Sequence, residues 1–153
     1  MTLDDGSAQW LAAEIISKHE GLRLAPYFCP AGKLTIGYGH VIKPDEGHLR
    51  AGITKDQAEM LLNRDLAWSL FEARRVGRVL TSYQAAALAS LIFNIGAAAW
   101  QSSAIRRRVM AGDWQGASAE FPRWNKVNGQ VSAGLVNRRA QEQKLFEGGL
   151  WIG

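Results

Sequence analysis

The feature that most constrains the fold is a segment from Thr81 to Ile95 that is apolar on nearly every side. It opens with a Thr-x-x-Gln capping box, Thr81 to Gln84, and continues as Ala-Ala-Ala-Leu-Ala-Ser-Leu-Ile-Phe. A helix without a polar face has to be enclosed by other elements. The sequence therefore predicts a helix at the centre of a helical core, ended by Gly96 as its C-terminal cap.

Further helices are predicted on both sides of this segment. Residues 8–20 carry a stripe at helical spacing, with Ser7 as N-cap and Gly21 as the end; the stripe is Trp10, Leu11, Ile15 and Ile16. A second capping box, Thr54 to Gln57, opens a pattern of about twenty residues, long enough to join two lobes. Its apolar positions are Ala58, Leu61, Leu62, Leu66 and Phe71. Ser102 and Asp113 are predicted as N-caps, and residues 133–147 as a last helix.

Between the first two helices, glycine and proline punctuate a short β-type run. Residues 26–42 place five of them, Pro26, Pro30, Gly32, Gly37 and Gly39, around Leu34-Thr35-Ile36. This pattern predicts a β-hairpin, whereas residues 43–53 are loop-like with no clear third strand. The order is helix, small β-element, then five or so helices, so the sequence predicts the α+β class.

Composition and charge indicate the size of the folded unit and the kind of partner, but charge alone does not choose among the possible partners. The chain has 153 residues, of which 47% are hydrophobic, so one globular unit with a proper core is expected. A net charge of +4 favours an anionic partner: nucleic acid, a membrane face or a cell wall. Nucleic-acid binding is not expected, because no helix-turn-helix, zinc-finger or RNA-binding signature is present.

The single cysteine cannot form an intramolecular disulfide, which fits folding in a reducing compartment. The residues MTLDDGSAQW lack the features of a signal peptide, and no apolar run approaches the ~20 residues of a membrane span. Three histidines and one cysteine without ligand spacing predict neither a metal site nor a cofactor. Of the histidines, His19 and His48 have no evident partner.

Three polar groups stand between His19 and His40. Glu20, Cys29 and Thr35 follow one another at offsets of nine and six. Such spacing brings an acid, a nucleophile-type group and a hydroxyl from three local elements into one cleft. A helix cap followed by an ordinary hairpin explains the same spacing equally well, so the spacing alone leaves both interpretations open.

Four motifs resemble one known family. The first motif is similar to the signature of the phage lysozymes, the endolysin muramidases of glycoside hydrolase family 24. It consists of Glu20, eight residues, Cys29, five residues, Thr35 and then Ile36-Gly37-Tyr38-Gly39-His40. Ile53 to Asp65 resembles the start of that family's connecting helix, and Phe93 to Gly96 its buried helix end. Gly134 to Arg139, followed by Glu142, resembles its C-terminal signature. The motifs stand in family order across residues 14–147.

The resemblance implies a mostly helical lysozyme-like fold in a single domain, residues 1–153. A small β-hairpin lobe, about 21–65, would be joined by a long helix to a helical lobe, about 66–153, with helix 8–20 packed on it. It implies an endolysin that hydrolyses the β-1,4 bond between N-acetylmuramic acid and N-acetylglucosamine in peptidoglycan and lyses the host. Such a monomer would be made in the host cytoplasm, be released by a holin-type permeabiliser, and act on the wall in the periplasm.

The resemblance also assigns site residues. Glu20 would be the proton donor, at a helix C-terminus where the dipole disfavours an anion, and Arg138 would approach and orient it. Thr35 would hold the catalytic water, while His40 and Asp65 would pair and fix a lobe. Phe93 and Asn94 would line the cleft, with Trp124, Asn125 and Asn128 as weaker sugar contacts. The other tryptophans, Trp10, Trp68, Trp100, Trp114 and Trp151, are expected in the core.

Cys29 departs from the family pattern, in which most members carry Asp and a minority Cys. An ordinary thiol is mostly neutral at pH 7, with a pKa of ~8.5, whereas a lowered pKa would make it a strong nucleophile. Cys29 is therefore a water positioner, a covalent nucleophile or a packing residue. The same departure keeps two rival functions open: a lytic transglycosylase, in which the sugar's own 6-hydroxyl attacks, and a wall-binding module without catalysis.

Overall fold

The computed structural model describes residues 5–149. The first part contains a helix and a sheet: α1 (Asp5–Glu20), β1 (Arg23–Phe28), β2 (Leu34–Gly37) and β3 (His40–Val41), followed by 3₁₀ turns over Pro44–Ala51. The rest is helical except for one small hairpin. Its elements are α2 (Lys55–Arg74), α3 (Ser82–Ile95), α4 (Ala97–Gln101), α5 (Ala104–Met110), α6 (Trp114–Glu120), a 3₁₀ turn (Phe121–Arg123), β4 (Lys126–Val127), β5 (Gln130–Val131) and α7 (Ala133–Phe146). This is the expected α+β architecture.

Helix α3 is the centre of the larger hydrophobic cluster, as predicted. Every residue from 85 to 92 is buried, and α1, α2 and α7 pack around it. The Thr81 hydroxyl accepts a hydrogen bond from the backbone N–H of Gln84, which completes the predicted capping box. Gly96 ends the helix at φ +90, a left-handed conformation that glycine adopts without strain.

Helix α2 contributes to two hydrophobic clusters. Ala58 and Leu61 pack with Ile36, Leu49 and Ile53 beneath the sheet. Further along, α2 supplies the larger cluster, through Leu62, Leu66, Leu70 and Ala73. The predicted Thr54–Gln57 box caps its N-terminus. The sheet and the helical part therefore share one continuous helix.

The β-element has three strands instead of the predicted two. β1 and β2 pair antiparallel with Tyr27 opposite Thr35, and β3 adds a third strand with His40 opposite Ile36. The pairing of β1 and β2 is irregular between Arg23 and Tyr27, where Pro26 has no N–H to donate. The third strand has only two residues, too few to produce an alternating pattern in the sequence.

Two predicted helix caps are wrong. Ser7 lies within the first turn of α1, because the helix extends to Asp5. Ser103, one residue after the predicted Ser102, caps α5 by accepting from the N–H of Arg106, while Ser102 ends α4. Asp113 caps α6 as predicted, by accepting from the N–H of Gly116.

Two tryptophans expected in the core are exposed, Trp10 (63%) and Trp68 (49%), and so is Phe71 (61%), which belongs to the predicted apolar pattern of α2. The buried stripe of α1 runs through Ala8, Ala12, Ile15 and Ile16, which places Trp10 on the outer face. Trp100 is fully buried, Trp114 packs partly buried against the same cluster, and Trp151 lies outside the described residues. Within residues 5–149, no helix has the length and apolar content needed to cross a membrane.

Candidate active site

A cleft of about 710 Å³ separates the sheet from the helical part. The end of α1, the end of α3 and the β4–β5 hairpin form one wall, and β1, β2 and the turn between them form the other. Glu20, Cys29 and Thr35 all line this cleft. The structure therefore brings together the three residues that the sequence spacing singled out.

Glu20 is the last residue of α1, and its side chain is 21% exposed. Its Oε1 accepts a hydrogen bond from Arg138 Nη1 at 2.6 Å, so the predicted ion pair is present. Its Oε2 lies against Gly39, where a Cβ atom would come within 2.8 Å of the oxygen. Gly39 also has φ +79, so both backbone conformation and the carboxyl require glycine.

Arg138 is itself held by the core. It projects from α7, its side chain is only 4% exposed, and Nη2 donates to the carbonyl oxygen of Ser90 at 3.1 Å. Its Nε donates to Glu142 Oε2 at 3.2 Å. A guanidinium fixed at three corners can orient a carboxyl group, which a freely rotating cation cannot do as well.

A second arginine completes a buried charge network of Glu20, Arg138, Arg139 and Glu142. Arg139 Nε lies 2.7 Å from Glu142 Oε1, and its Nη2 donates to Glu142 Oε2 at 3.2 Å. The Ser90 hydroxyl also donates to Glu142, which is fully buried. Burial lowers the pKa of Arg139 to about 10, against the opposing effect of Glu142. The network carries two positive and two negative groups, so it is balanced when all four are ionised.

On the opposite wall, Cys29 lies in the turn after β1. Its backbone N–H donates to the carbonyl oxygen of Lys33, and its carbonyl oxygen accepts from Gly32. The pKa of the Cys29 thiol is lowered, chiefly by a hydrogen bond from the backbone of Lys33. Desolvation raises this pKa, whereas hydrogen bonds from the backbone of Ala31 and the side chain of Thr35 lower it further. These contacts all favour the thiolate.

Thr35 lies in β2 and is 2% exposed. Its hydroxyl donates to the carbonyl oxygen of Lys33 at 2.8 Å and also interacts with the Cys29 side chain. The hydroxyl is therefore fixed at the edge of the cleft, beside the sulfur. Both residues are positioned by the same tight turn, which Gly32 closes at φ +77.

The predicted sugar contacts divide into two groups. Phe93 and Asn94 line the cleft at the end of α3, and Trp124 and Asn128 line it further along the chain. Asn125 is not among the lining residues. An aromatic and amide lining of this kind suits a carbohydrate ligand.

Comparisons with known proteins agree with this geometry. The family model described as phage lysozyme matches residues 17–142. The chain belongs to the phage lysozyme family. An endolysin of Acyrthosiphon pisum secondary endosymbiont phage 1 is 41% identical over 138 residues, covering 87% of this chain and 92% of that protein. An endolysin of Bacillus phage PZA is 42% identical over 88% of this chain, which corresponds to 53% of that longer protein.

A solved structure supports the same assignment. The endolysin from Escherichia coli O157:H7 phage FAHEc1 has a TM-score of 0.79 and 31% sequence identity, over 100% of this chain and 98% of that chain. The chain is thus a phage-type lysozyme, a glycoside hydrolase that degrades peptidoglycan. Its mostly helical fold with a small antiparallel sheet is that of its structural relatives.

In this lysozyme, His40 and Asp65 pair outside the cleft that Glu20, Cys29 and Thr35 line. His40 Nδ1 lies 2.6 Å from Asp65 Oδ2, which links β3 to α2 as predicted. Its Nε2 lies 2.9 Å from Glu46 Oε1, a partner that the sequence did not indicate. The hydrogen bond to Asp65, assisted by Glu46, raises the pKa of His40 against the effect of burial. The imidazole therefore connects three elements.

Sequence reasoning missed two residues of the cleft wall. The hairpin β4–β5 supplies Lys126 and Val127 to it, beside the predicted Asn128. The sequence did carry a signal for this hairpin, the pair Asn128-Gly129 between two valines, because Asn-Gly favours a two-residue hairpin turn with positive φ. The observed φ values of the two residues are +50 and +79.

His19 also has a partner that the sequence did not show. Its Nε2 lies 2.7 Å from Gln141 Oε1, which ties α1 to α7 beside Glu20. Burial lowers the pKa of His19. Among the described residues, no group of three or more His, Cys, Asp or Glu side chains could hold a metal ion.

Proposed function

We propose that this lysozyme hydrolyses the β-1,4 bond between N-acetylmuramic acid and N-acetylglucosamine with Glu20 as the general acid. The observation that supports this role is the contact between Glu20 and the buried Arg138 at 2.6 Å, at the edge of a large cleft. Arg138 occupies Oε1, so Oε2 carries the proton that is donated to the leaving oxygen. The absent side chain at Gly39 leaves room beside Oε2 for that oxygen.

We further propose that Cys29 and Thr35 act on the attacking water. Hydrolysis requires a water molecule or a nucleophile on the sugar face opposite the acid. The hydrogen bonds that lower the pKa of Cys29 let a thiolate take the place of the carboxylate that most family members have. The fixed hydroxyl of Thr35 holds the water beside the sulfur. The thiolate accepts the proton of the water as its oxygen bonds to the anomeric carbon, and Glu20 protonates the departing oxygen.

We also propose that the enzyme acts as a monomer on the wall in the periplasm. A net charge of +4 suits an anionic wall. Peptidoglycan lies outside the cytoplasmic membrane, so a protein made in the host cytoplasm needs a separate holin-type permeabiliser to reach it. Both lobes belong to one lysozyme domain in this proposal, because α2 packs into both hydrophobic clusters.

The experiment that tests this function is digestion of purified peptidoglycan followed by mass spectrometry of the new ends. Free reducing N-acetylmuramic acid ends are expected, whereas 1,6-anhydro ends would indicate transglycosylation. Glu20→Gln keeps the shape of the side chain and removes the acid, so the rate should fall at least ~10²-fold. Glu14→Gln, on an exposed position of the same helix, is the matched control and should retain wild-type activity. Activity of Glu20→Gln within a few-fold of wild type would overturn the assignment.

A further inference from the structure

Positive charge is concentrated in one segment of the chain. Residues 71–112 contain six arginines and a single acidic residue, Glu72, so their formal charge is +5. The chain as a whole carries +4, which leaves −1 for all the other residues. These arginines lie at the end of α2, in the turn that follows it and in α5. An anionic partner is therefore attracted most strongly to this part of the molecule.

The single acidic residue of this segment, Glu72, is turned inward, with its side chain only 7% exposed. Its Oε1 accepts a hydrogen bond from Arg75 Nη1 at 3.1 Å, and its Oε2 accepts one from Gln101 Nε2 at 2.9 Å. Arg75 itself remains 57% exposed. The next carboxylate along the chain, Asp113, pairs with Arg108 at 2.9 Å. The contacts of Glu72 hold the end of α2 against the end of α4, and guanidinium groups face the solvent there.

Arg78 and Arg107 join Arg75 on this side of the molecule. Arg78 Nε donates to the carbonyl oxygen of Met110, at the end of α5, at 2.9 Å. Arg107 Nη1 donates to the carbonyl oxygen of Ser102, the residue after α4, also at 2.9 Å. Both arginines are exposed, and within residues 5–149 neither guanidinium takes part in an ion pair. Their hydrogen bonds to the backbone fix the two positive charges at the surface without neutralising them.

Exposed apolar side chains accompany these arginines: Phe71 (61%), Val79 (82%) and Met110 (42%). The guanidinium of Arg75 lies over the ring of Phe71, 5.7 Å from its centroid. Val79 follows Arg78 in the chain, and Arg78 bonds to the backbone of Met110. A soluble polyanion gains little from exposed apolar groups, whereas the interface of a bilayer accepts them and its anionic headgroups attract arginine. The combination of the two kinds of side chain favours a lipid surface.

We propose that this basic face docks the enzyme on the anionic surface of a phospholipid bilayer. The face consists of Phe71, Arg75, Arg78, Val79, Arg107 and Met110. Its guanidinium groups bind the lipid phosphates, and its apolar side chains enter the boundary between headgroups and acyl chains. The cleft stays open to substrate, because none of these six residues lines it. The inference goes beyond the proposed function, since bond cleavage does not require this surface.

Sedimentation of the wild-type protein with lipid vesicles tests the proposal without any substitution. Vesicles of phosphatidylglycerol and phosphatidylcholine should bind the protein at least ~10-fold more tightly than vesicles of phosphatidylcholine alone, because each arginine near an anionic surface adds to the affinity. Raising the salt concentration should weaken this binding, because it screens the attraction over a shorter distance. Equal binding to the two kinds of vesicle would overturn the proposal.

A pair of double variants tests the position of the face. Arg78→Gln combined with Arg107→Gln should weaken binding to anionic vesicles about 20-fold. The matched control, Arg50→Gln combined with Lys55→Gln, removes the same charge from exposed positions at the other end of the 20-residue helix α2, about 30 Å away. Arg78→Lys combined with Arg107→Lys keeps the charge and should keep most of the binding. Equal losses in the two glutamine variants would mean that net charge alone attracts the protein, and the face would be wrong.

The apolar contribution separates a bilayer from a soluble polyanion. Met110→Ala should weaken binding to anionic vesicles several-fold and leave binding to soluble polyphosphate unchanged. Met60→Ala, at an exposed methionine near the start of α2, is the matched control and should affect neither. If Met110→Ala binds vesicles as tightly as the wild type, the assignment of a lipid surface is overturned. Every variant should hydrolyse purified peptidoglycan at the wild-type rate, and thermal unfolding shows whether each is folded.

Discussion

The two walls of the cleft are held in place by different kinds of contact. On the helical wall, Glu20 is bound by Arg138, 118 residues away in sequence, and Arg138 is fixed by Ser90 and Glu142 in the core. On the sheet wall, Cys29 and Thr35 are held mainly by the backbone of the intervening turn. One wall is part of the core, and the other is a local structure on the surface.

This difference explains where the site tolerates change. Removing a partner from the helical wall leaves a buried charge uncompensated, which costs several kcal/mol. The turn on the sheet wall supplies donors from its own backbone, so it can stabilise a thiolate or a carboxylate at position 29. We infer that this is why Cys can stand here while the helical wall keeps its charges.

The largest effect is expected in the buried network. Glu142→Ala removes the carboxylate that faces Arg138 and Arg139 and leaves two buried guanidinium groups facing each other. Unfolding in denaturant should show a loss of about 3–5 kcal/mol. Glu14→Ala, at an exposed position of α1, should change stability by less than about 0.5 kcal/mol. Equal stability losses in these two variants would mean that the network does not tie the helical wall to the core.

The next effect is on the sheet wall and concerns chemistry alone. Cys29→Ser should reduce the rate of wall lysis about 10²-fold, since a hydroxyl is not ionised near pH 7. Cys29→Asp should retain substantial activity and resist a thiol-blocking reagent that inhibits the wild type. Because hydrogen bonds lower the pKa of Cys29, wild-type activity should fall as the pH drops through that pKa, and Cys29→Asp should stay active at lower pH. If Cys29→Ser and Cys29→Ala lyse cells at the wild-type rate, the sulfur is a packing residue.

A smaller effect tests the point where the walls meet. Gly39→Ala places a methyl group within 2.8 Å of Glu20 Oε2, at φ +79. Gly77→Ala has nearly the same φ, +74, with no atom within 4 Å. Both should lose about 1–2 kcal/mol of stability from the left-handed backbone. Only Gly39→Ala should also lose activity, about tenfold, because the methyl displaces the carboxyl. Similar activities in the two variants would show that Gly39 serves conformation alone.

The smallest effect is the pH dependence of the His40 contacts. The folded-state pKa of His40 is raised above its ordinary value of 6.5, so its stabilisation is complete below pH 6.5 and is lost as the pH rises through the raised pKa. The melting temperature of the wild type should therefore fall with rising pH by a few degrees more than that of His40→Asn, since ~1 kcal/mol corresponds to about 2–4 °C. His48→Asn, at an exposed position, should follow the wild type. Parallel curves for wild type and His40→Asn would contradict the linkage.

The elements that the sequence predicted best are those whose signals are local. The capping boxes at Thr54 and Thr81 and the apolar helix α3 lie where predicted, because backbone hydrogen bonds to neighbouring residues determine them. The third strand of the sheet was missed, since two residues carry no periodicity. Trp68 was expected in the core, and Phe71 was included in the apolar pattern of α2, because composition does not say which face of an amphipathic helix an aromatic residue occupies.

In the candidate site, the family motif predicted which residues line the cleft, and the structure showed which other residues hold them in place. The contact between Arg138 and Glu20 joins α7 to α1, and only the resemblance predicted it. Ser90 and Glu46 carry no sequence signal, because a serine in an apolar helix and a glutamate in a loop are ordinary residues. Their roles depend on contacts between distant segments, which spacing along the chain does not reveal.

Because α2 packs into both hydrophobic clusters, a residue inserted into it or deleted from it would affect the whole molecule. Leu61 and Leu62 are adjacent in sequence, yet one packs beneath the sheet and the other in the helical core. One residue inserted after Leu62 would rotate everything beyond it by about 100° and move it about 1.5 Å along the axis. Asp65 would then leave His40, and the sheet wall would turn relative to Glu20. The number of residues in this helix therefore sets the angle between the two walls, so a change in its length would alter the cleft without changing any side chain in it.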